Sequence, residues 1–103
     1  MSRFSEIIVR LSATIASRKG GDPSASWTAK LLADPKLAAK KLSEEAMETA
    51  LATTPDETAA ESADLIYHWL VLLEARGVSL DEVAARLEAR EGTSGIAEKA
   101  ERK

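Results

Sequence analysis

Cysteine is absent from this 103-residue chain. No disulfide staples the fold and no thiolate chemistry is available, which suits a reducing compartment. A basic surplus is also missing. Fourteen basic residues face 17 acidic ones, a formal net charge of −3, which argues against a general nucleic-acid binder. Long apolar runs are lacking too. The longest nearly apolar stretch, Leu65 to Leu73, has nine residues and contains His68, whereas a membrane-crossing helix needs ~20. The opening residues, Met1 to Glu6, carry no apolar stretch of the secretory kind. The expectation is a single-domain cytoplasmic protein with neither a membrane nor a nucleic-acid partner.

Proline and glycine are scarce, at three and five residues, and they punctuate a helical pattern. Phe4, Ile7, Ile8, Leu11 and Ile15 recur at helical spacing, which predicts a first helix over about 3–18. A loop follows at Lys19 to Ser24, then a short helix over 27–33. Asp34 caps a third helix, Pro35 takes its first position, and it runs to about Thr53. Thr54, Pro55 and Glu57 form a second start signal with a capping box, opening a helix to Arg76 that stops at Gly77. Ser79 and Glu82 form another box, opening a helix to about Arg90. The domain is expected to span 1–91, followed by a polar tail over 92–103.

Large apolar side chains are few. Apolar residues make up 45% of the chain, but 19 of them are alanine. A small chain already buries a low fraction of its surface. The Leu65–Leu73 stretch is apolar on nearly every side, as a centrally buried helix is. The reading is an all-α antiparallel bundle of four to five helices, completed by self-association as a homodimer or a dimer of dimers.

Charge is unevenly divided. Residues 1–41 carry eight basic and three acidic residues, and 42–103 carry six and fourteen. Between Leu42 and Ala75 there are eight acids and no lysine or arginine. Solvated helices normally place opposite charges three or four residues apart. Glu48, Glu61 and Asp64 have no such basic partner, and Glu44 and Glu45 have only Lys40 and Lys41 in the weaker order.

Those acids share faces. Glu44, Glu45 and Glu48 lie within a ~100° arc of one helix, and Glu61 and Asp64 share a face of the next. Both pairs, Glu45 with Glu48 and Glu61 with Asp64, are equally far from the Thr54-Pro55 turn. Folding the helices back as a hairpin brings four carboxylates level, ~12 Å from the turn at ~1.5 Å per residue. Converging carboxylates repel unless a cation sits between them. The second member of each pair is Glu48 or Asp64, not the histidine of di-iron bundles. An all-oxygen set favours Mg²⁺ or Mn²⁺, with Glu45, Glu48, Glu61 and Asp64 as the candidate ligands. The plainer reading is an acidic solvated face.

Glu44-Glu45-Ala46-Met47-Glu48 followed by Glu61-Ser62-Ala63-Asp64 resembles the signature of the all-α nucleotide pyrophosphohydrolases. Ser26-Trp27-Thr28-Ala29-Lys30-Leu31-Leu32, the Lys41–Glu48 block and the Ala63–Leu73 block resemble one branch, the phosphoribosyl-ATP pyrophosphohydrolases of histidine biosynthesis. Ile15 to Lys19 also fits, and Trp27 stands where that branch more often has tyrosine. The resemblance covers about residues 4 to 90. It implies Mg²⁺-dependent cleavage of the α–β phosphoanhydride of phosphoribosyl-ATP, giving phosphoribosyl-AMP and pyrophosphate. Glu44 and Glu45 are the candidate proton acceptors for the attacking water.

The substrate implied by the resemblance is a polyanion, and the basic half of the chain holds the cations for it. Arg18, Lys19, Trp27, Lys30 and Lys41 are the candidate substrate-binding residues. Each has a simpler alternative: cations at a helix end for Arg18 and Lys19, core packing for Trp27, solvation for Lys30, and a surface ion pair for Lys41. His68 reads as a hydrogen-bonded core histidine. Two other functions share parts of this pattern, a pyrophosphohydrolase of free nucleotides and a non-enzymatic acidic binding module.

Overall fold

A computed structural model describes residues 2–92. Those residues form five helices: α1 (Arg3–Ser17), α2 (Trp27–Ala33), α3 (Pro35–Leu51), α4 (Pro55–Ala75) and α5 (Leu80–Ala89). The polar tail expected over 92–103 lies outside the described residues beyond Gly92.

Local chemistry accounts for most of the boundaries. Each helix starts on an oxygen-bearing side chain that accepts a backbone N–H otherwise lacking a partner. Ser2 accepts from Ser5, Ser26 from Ala29, Asp34 from Leu37, Thr54 from Glu57 and Ser79 from Glu82. The capping box at Ser79 is complete, with the Ser79 N–H donating to Glu82 Oε2 at 2.6 Å. The box expected at Thr54 is half made. Its hydroxyl accepts from the Glu57 N–H at 3.1 Å, but the Glu57 carboxylate takes the Thr54 hydroxyl proton at 2.9 Å rather than the Thr54 N–H.

α3 stops at Leu51, two residues earlier than the spacing suggests. Pro55 disfavours a helical conformation at Thr54, which is extended at φ −107° and ψ 154°. Ala52 is extended as well, so three residues make the turn. α4 ends where Gly77 adopts φ +68°. The Val78 N–H reaches back to Leu73 O at 2.9 Å and Gly77 N–H to Glu74 O at 3.2 Å, which satisfies two terminal carbonyls.

α4 is the central element and packs against α1, α2 and, most extensively, α3. Joined by only three residues, α3 and α4 form an antiparallel hairpin. The core is small: Ile15 from α1, Leu31 and Leu32 from α2, Ala38 from α3, and Leu70 and Val71 from α4. Burying each large member stabilises the fold by about 1.5–3 kcal/mol. A hydrogen bond between the hydroxyls of Thr28 and Tyr67 ties α2 to α4.

The Leu65–Leu73 stretch is not enclosed on every side by its own chain. His68, Leu70 and Val71 are buried, while Leu65, Ile66 and Trp69 are half-buried. Trp69 joins Phe4, Val9, Val83 and Leu87 around a groove of about 430 Å³. Phe4 is 63% exposed and Leu87 59%. The core of one chain thus stops short of covering its own apolar face.

Candidate functional site

The acidic residues converge at the turn-side half of the α3–α4 hairpin. One oxygen each from Glu45, Glu61 and Asp64 lie within 4.8 Å of one another. Glu45 and Glu61 are half-buried and Asp64 is exposed. Buried Oε2 atoms of Glu45 and Glu61 have no hydrogen-bond partner. An orphaned buried acceptor costs about 1–3 kcal/mol, and more when charged.

The electrostatics report the same strain. Loss of hydration raises the Glu45 carboxyl above the usual glutamate range, and the neighbouring charges of Glu48 and Asp64 push it further, with His68 opposing. Loss of hydration also leads at Glu61, followed by a hydrogen bond and charge from Glu48 and by the charges of Asp64 and Glu45. Glu48 therefore adjoins the three-oxygen cluster and acts on both half-buried members. All four carboxylates named from the sequence meet at this place, three of them in one tight group.

A hard divalent cation fits this donor set. The donors are carboxylates, Oε2 of Glu45 and of Glu61 has no hydrogen-bond partner, and their mutual repulsion is relieved once a positive charge sits between them. Residues able to hold such an ion are Glu45, Glu61 and Asp64, with Glu48 beside them.

Two polar side chains brace the carboxylate-bearing helices. Thr49 Oγ1 lies 2.8 Å from Glu45 O on its own helix and 3.1 Å from Glu61 O across the hairpin. Nδ1 of His68 lies 2.8 Å from Asp64 O. His68 is 9% exposed, and its ring meets Tyr67 edge-on at 4.9 Å. Reading the sequence for charge passes over Thr49. Its only signal there is a hydroxyl four residues after Glu45, on the same helix face.

The remaining candidates fall into separate groups. Glu44 is exposed and pairs with Lys41 at 3.3 Å, outside the three-oxygen cluster. Trp27 is 45% exposed, so it is not a core anchor. The ammonium groups of Lys30 and Lys41 stand 5.6 and 5.8 Å from its ring centroid, within cation–π range. Lys41 is one helical turn before Glu45, which places this aromatic and basic group beside the acidic one. Arg18 caps the C-terminus of α1. Lys19 reaches Glu74 at 3.8 Å. Glu74 is ten residues beyond Asp64, ~15 Å further along α4, so Lys19 is not brought to the carboxylates within one chain.

Known proteins resemble this chain closely. The family described as phosphoribosyl-ATP pyrophosphohydrolase matches residues 8–91. A phosphoribosyl-ATP pyrophosphatase of Caulobacter vibrioides is 67% identical over 103 residues, covering 97% of this chain and 96% of the relative. The protein of that name from Cereibacter sphaeroides is 56% identical over 100 residues, covering 93% and 97%. One from Dinoroseobacter shibae is 54% identical over 100 residues, covering 93% and 98%.

Proposed function

Because the chain belongs to the phosphoribosyl-ATP pyrophosphohydrolase family, we propose that it hydrolyses phosphoribosyl-ATP in histidine biosynthesis. Water adds to one phosphorus of the α–β anhydride, the bridging P–O bond breaks, and phosphoribosyl-AMP and pyrophosphate leave. The observation that carries the site assignment is the meeting of Glu45, Glu61 and Asp64 within 4.8 Å, with two buried oxygens lacking partners.

Glu45, Glu61 and Asp64 would hold Mg²⁺ or Mn²⁺, with Glu48 completing the set. When bound, such an ion supplies charge neutralisation at the phosphate oxygens and a more acidic water. Glu45 is the better placed proton acceptor of the two candidates, since it belongs to the cluster, while Glu44 is engaged by Lys41 at the rim. Trp27 offers an exposed ring to the base, and Lys30 and Lys41 offer charge to phosphate beside it. Arg18 and Lys19 serve a distal phosphate only if the substrate spans to them or a second copy brings them round.

Self-association belongs to this reading, as a homodimer or a dimer of dimers. It is supported by the open apolar groove around Trp69 and by the smallness of the core. No helix among the described residues is long and apolar enough to cross a membrane, which accords with a cytoplasmic enzyme.

The test is pyrophosphate release from phosphoribosyl-ATP, measured with Mg²⁺, with Mn²⁺ and with chelator, beside a panel of free nucleoside triphosphates. Metal-dependent release with a strong preference for phosphoribosyl-ATP is expected. Equal turnover of free nucleotides would move the chain to the broader nucleotide activity, and no release under any condition would reject the enzyme.

A further inference from the structure

We infer that Thr49 is a positioning residue whose hydroxyl sets the level of Glu45 against Glu61 and so preorganises the cation site; the inference rests on the carboxylate cluster being that site. A threonine hydroxyl has one proton to donate. Glu45 O and Glu61 O can only accept, so the proton is shared between them over 2.8 and 3.1 Å. The hydroxyl therefore touches the backbone of one proposed ligand on each helix.

The hairpin needs such a tie at this level. The buried core on α3 consists of Ala38, seven residues before Glu45, and the buried residues of α4 begin at His68, four after Asp64. At the carboxylates themselves, Ala46, Met47, Glu48, Ala50 and Leu51 are exposed on α3, and so are Ala59, Ala60, Ala63 and Asp64 on α4. No residue over 45–51 or 59–64 is fully buried, so apolar packing is weakest at this level, and carboxylate repulsion opposes the approach of the helices. A neutral hydrogen bond across the gap opposes that repulsion without adding charge.

Thr49 also suits the role because its removal leaves little else broken. Both carbonyls keep their ordinary helical N–H partners, so neither is orphaned when the hydroxyl goes. The effect should fall on geometry between the helices more than on global stability.

The experiment titrates Mn²⁺ into the full chain by calorimetry for wild type, Thr49→Val and Thr49→Ser, with melting temperatures recorded in chelator. Thr49→Val is isosteric and should weaken Mn²⁺ binding about tenfold, the scale of one lost hydrogen bond. Thr49→Ser keeps the hydroxyl and should stay within about twofold. All three should melt within a few degrees of one another in chelator. Unchanged Mn²⁺ affinity in Thr49→Val, or Thr49→Ser as weak as Thr49→Val, overturns the assignment. A wild-type chain that takes up no Mn²⁺ overturns the metal reading itself, and this inference with it. Should Thr49→Val not fold, Thr49→Ala replaces it, and equal affinity in the alanine and serine variants overturns the assignment.

Discussion

Nδ1 of His68 stands 2.8 Å from the backbone carbonyl of Asp64. A carbonyl only accepts, so Nδ1 carries the proton and the imidazole is fastened to the helix one turn from a proposed metal ligand. The ring is buried against Tyr67, and the Tyr67 hydroxyl is bonded to Thr28 of α2. A continuous set of contacts thus joins the short helix carrying Trp27 to the helix carrying Asp64.

We read His68 as part of the core, because it is buried and lies outside the three-oxygen cluster. Replacing it by alanine opens a cavity and loses a hydrogen bond, at a cost of about 2 kcal/mol. We expect His68→Ala to lower the urea midpoint clearly while Mn²⁺ affinity stays within about threefold. Complete loss of Mn²⁺ binding in a folded variant would make the histidine a ligand.

The acids should trade stability for activity. Glu48→Ala and Asp64→Ala are expected to lose at least a hundredfold in kcat/KM, about 2.7 kcal/mol of transition-state stabilisation, while the metal-free fold survives. For Glu61, loss of hydration and then Glu48 raise the carboxyl above its usual range. The folded chain therefore binds this proton more tightly than the unfolded chain does. The stability from it is fully present below the ordinary glutamate range and is lost as pH rises through the elevated value. In chelator, Glu61→Gln should therefore melt higher than wild type near neutral pH, and the gap should close towards about pH 4. Saturating Mn²⁺ should reverse the trend for wild type, because the cation binds the deprotonated site. A metal-free Glu61→Gln that melts below wild type at neutral pH would show these acids to be structural.

Cations that hold the substrate in both ground and transition states should govern KM more than kcat. Lys30→Ala removes one of two ammonium groups over the Trp27 ring and is expected to raise KM for phosphoribosyl-ATP several-fold, with kcat within about twofold. Arg18→Ala should behave the same way if a neighbouring copy or the length of the substrate brings it into range. Kinetics across a salt series decide it, since screening weakens the wild-type contribution and narrows the difference. If both variants keep the wild-type KM, the distal phosphate binds elsewhere.

The groove shared by α1, α4 and α5 should close on a second copy of the chain. Phe4 and Leu87 both line it and both lie more than half exposed. Exposed apolar patches of this kind mark interfaces. Multi-angle light scattering of wild type should give a dimer or larger at micromolar concentration, and Leu87→Asp should shift the mass towards the monomer. A wild-type monomer under those conditions would remove self-association from the reading.

Helix boundaries were legible because their causes are local. Asp34-Pro35, Thr54-Pro55, Ser79 with Glu82, and Gly77 each act within a few residues of themselves, and a reader of the chain meets all the atoms involved. The level meeting of Glu45 and Glu48 with Glu61 and Asp64 was legible for a related reason. Helical rise is constant, so residues equally far from a tight turn come level whatever else the chain does.

Rotation about the helix axis is not a local property. Glu44 and Glu45 are neighbours ~100° apart, and their acidity and spacing do not distinguish them. Packing of Ala38 and of Leu70 and Val71 turns α3 so that Glu45 enters the cluster while Glu44 goes to Lys41. The same rotation aims Thr49 at Glu61, which its place in the chain could not announce. Lys19 illustrates the converse. Its charge makes it a candidate substrate cation, and within one chain the docking of α1 against α4 sets it beside Glu74, away from the carboxylates. By itself, then, the order of residues determined where the helices begin and end and which acids share a level, since caps, turns and helical rise act over a few residues. Tertiary structure decided which side chains face inward, because that depends on how distant apolar residues pack, and packing is a property of the whole fold.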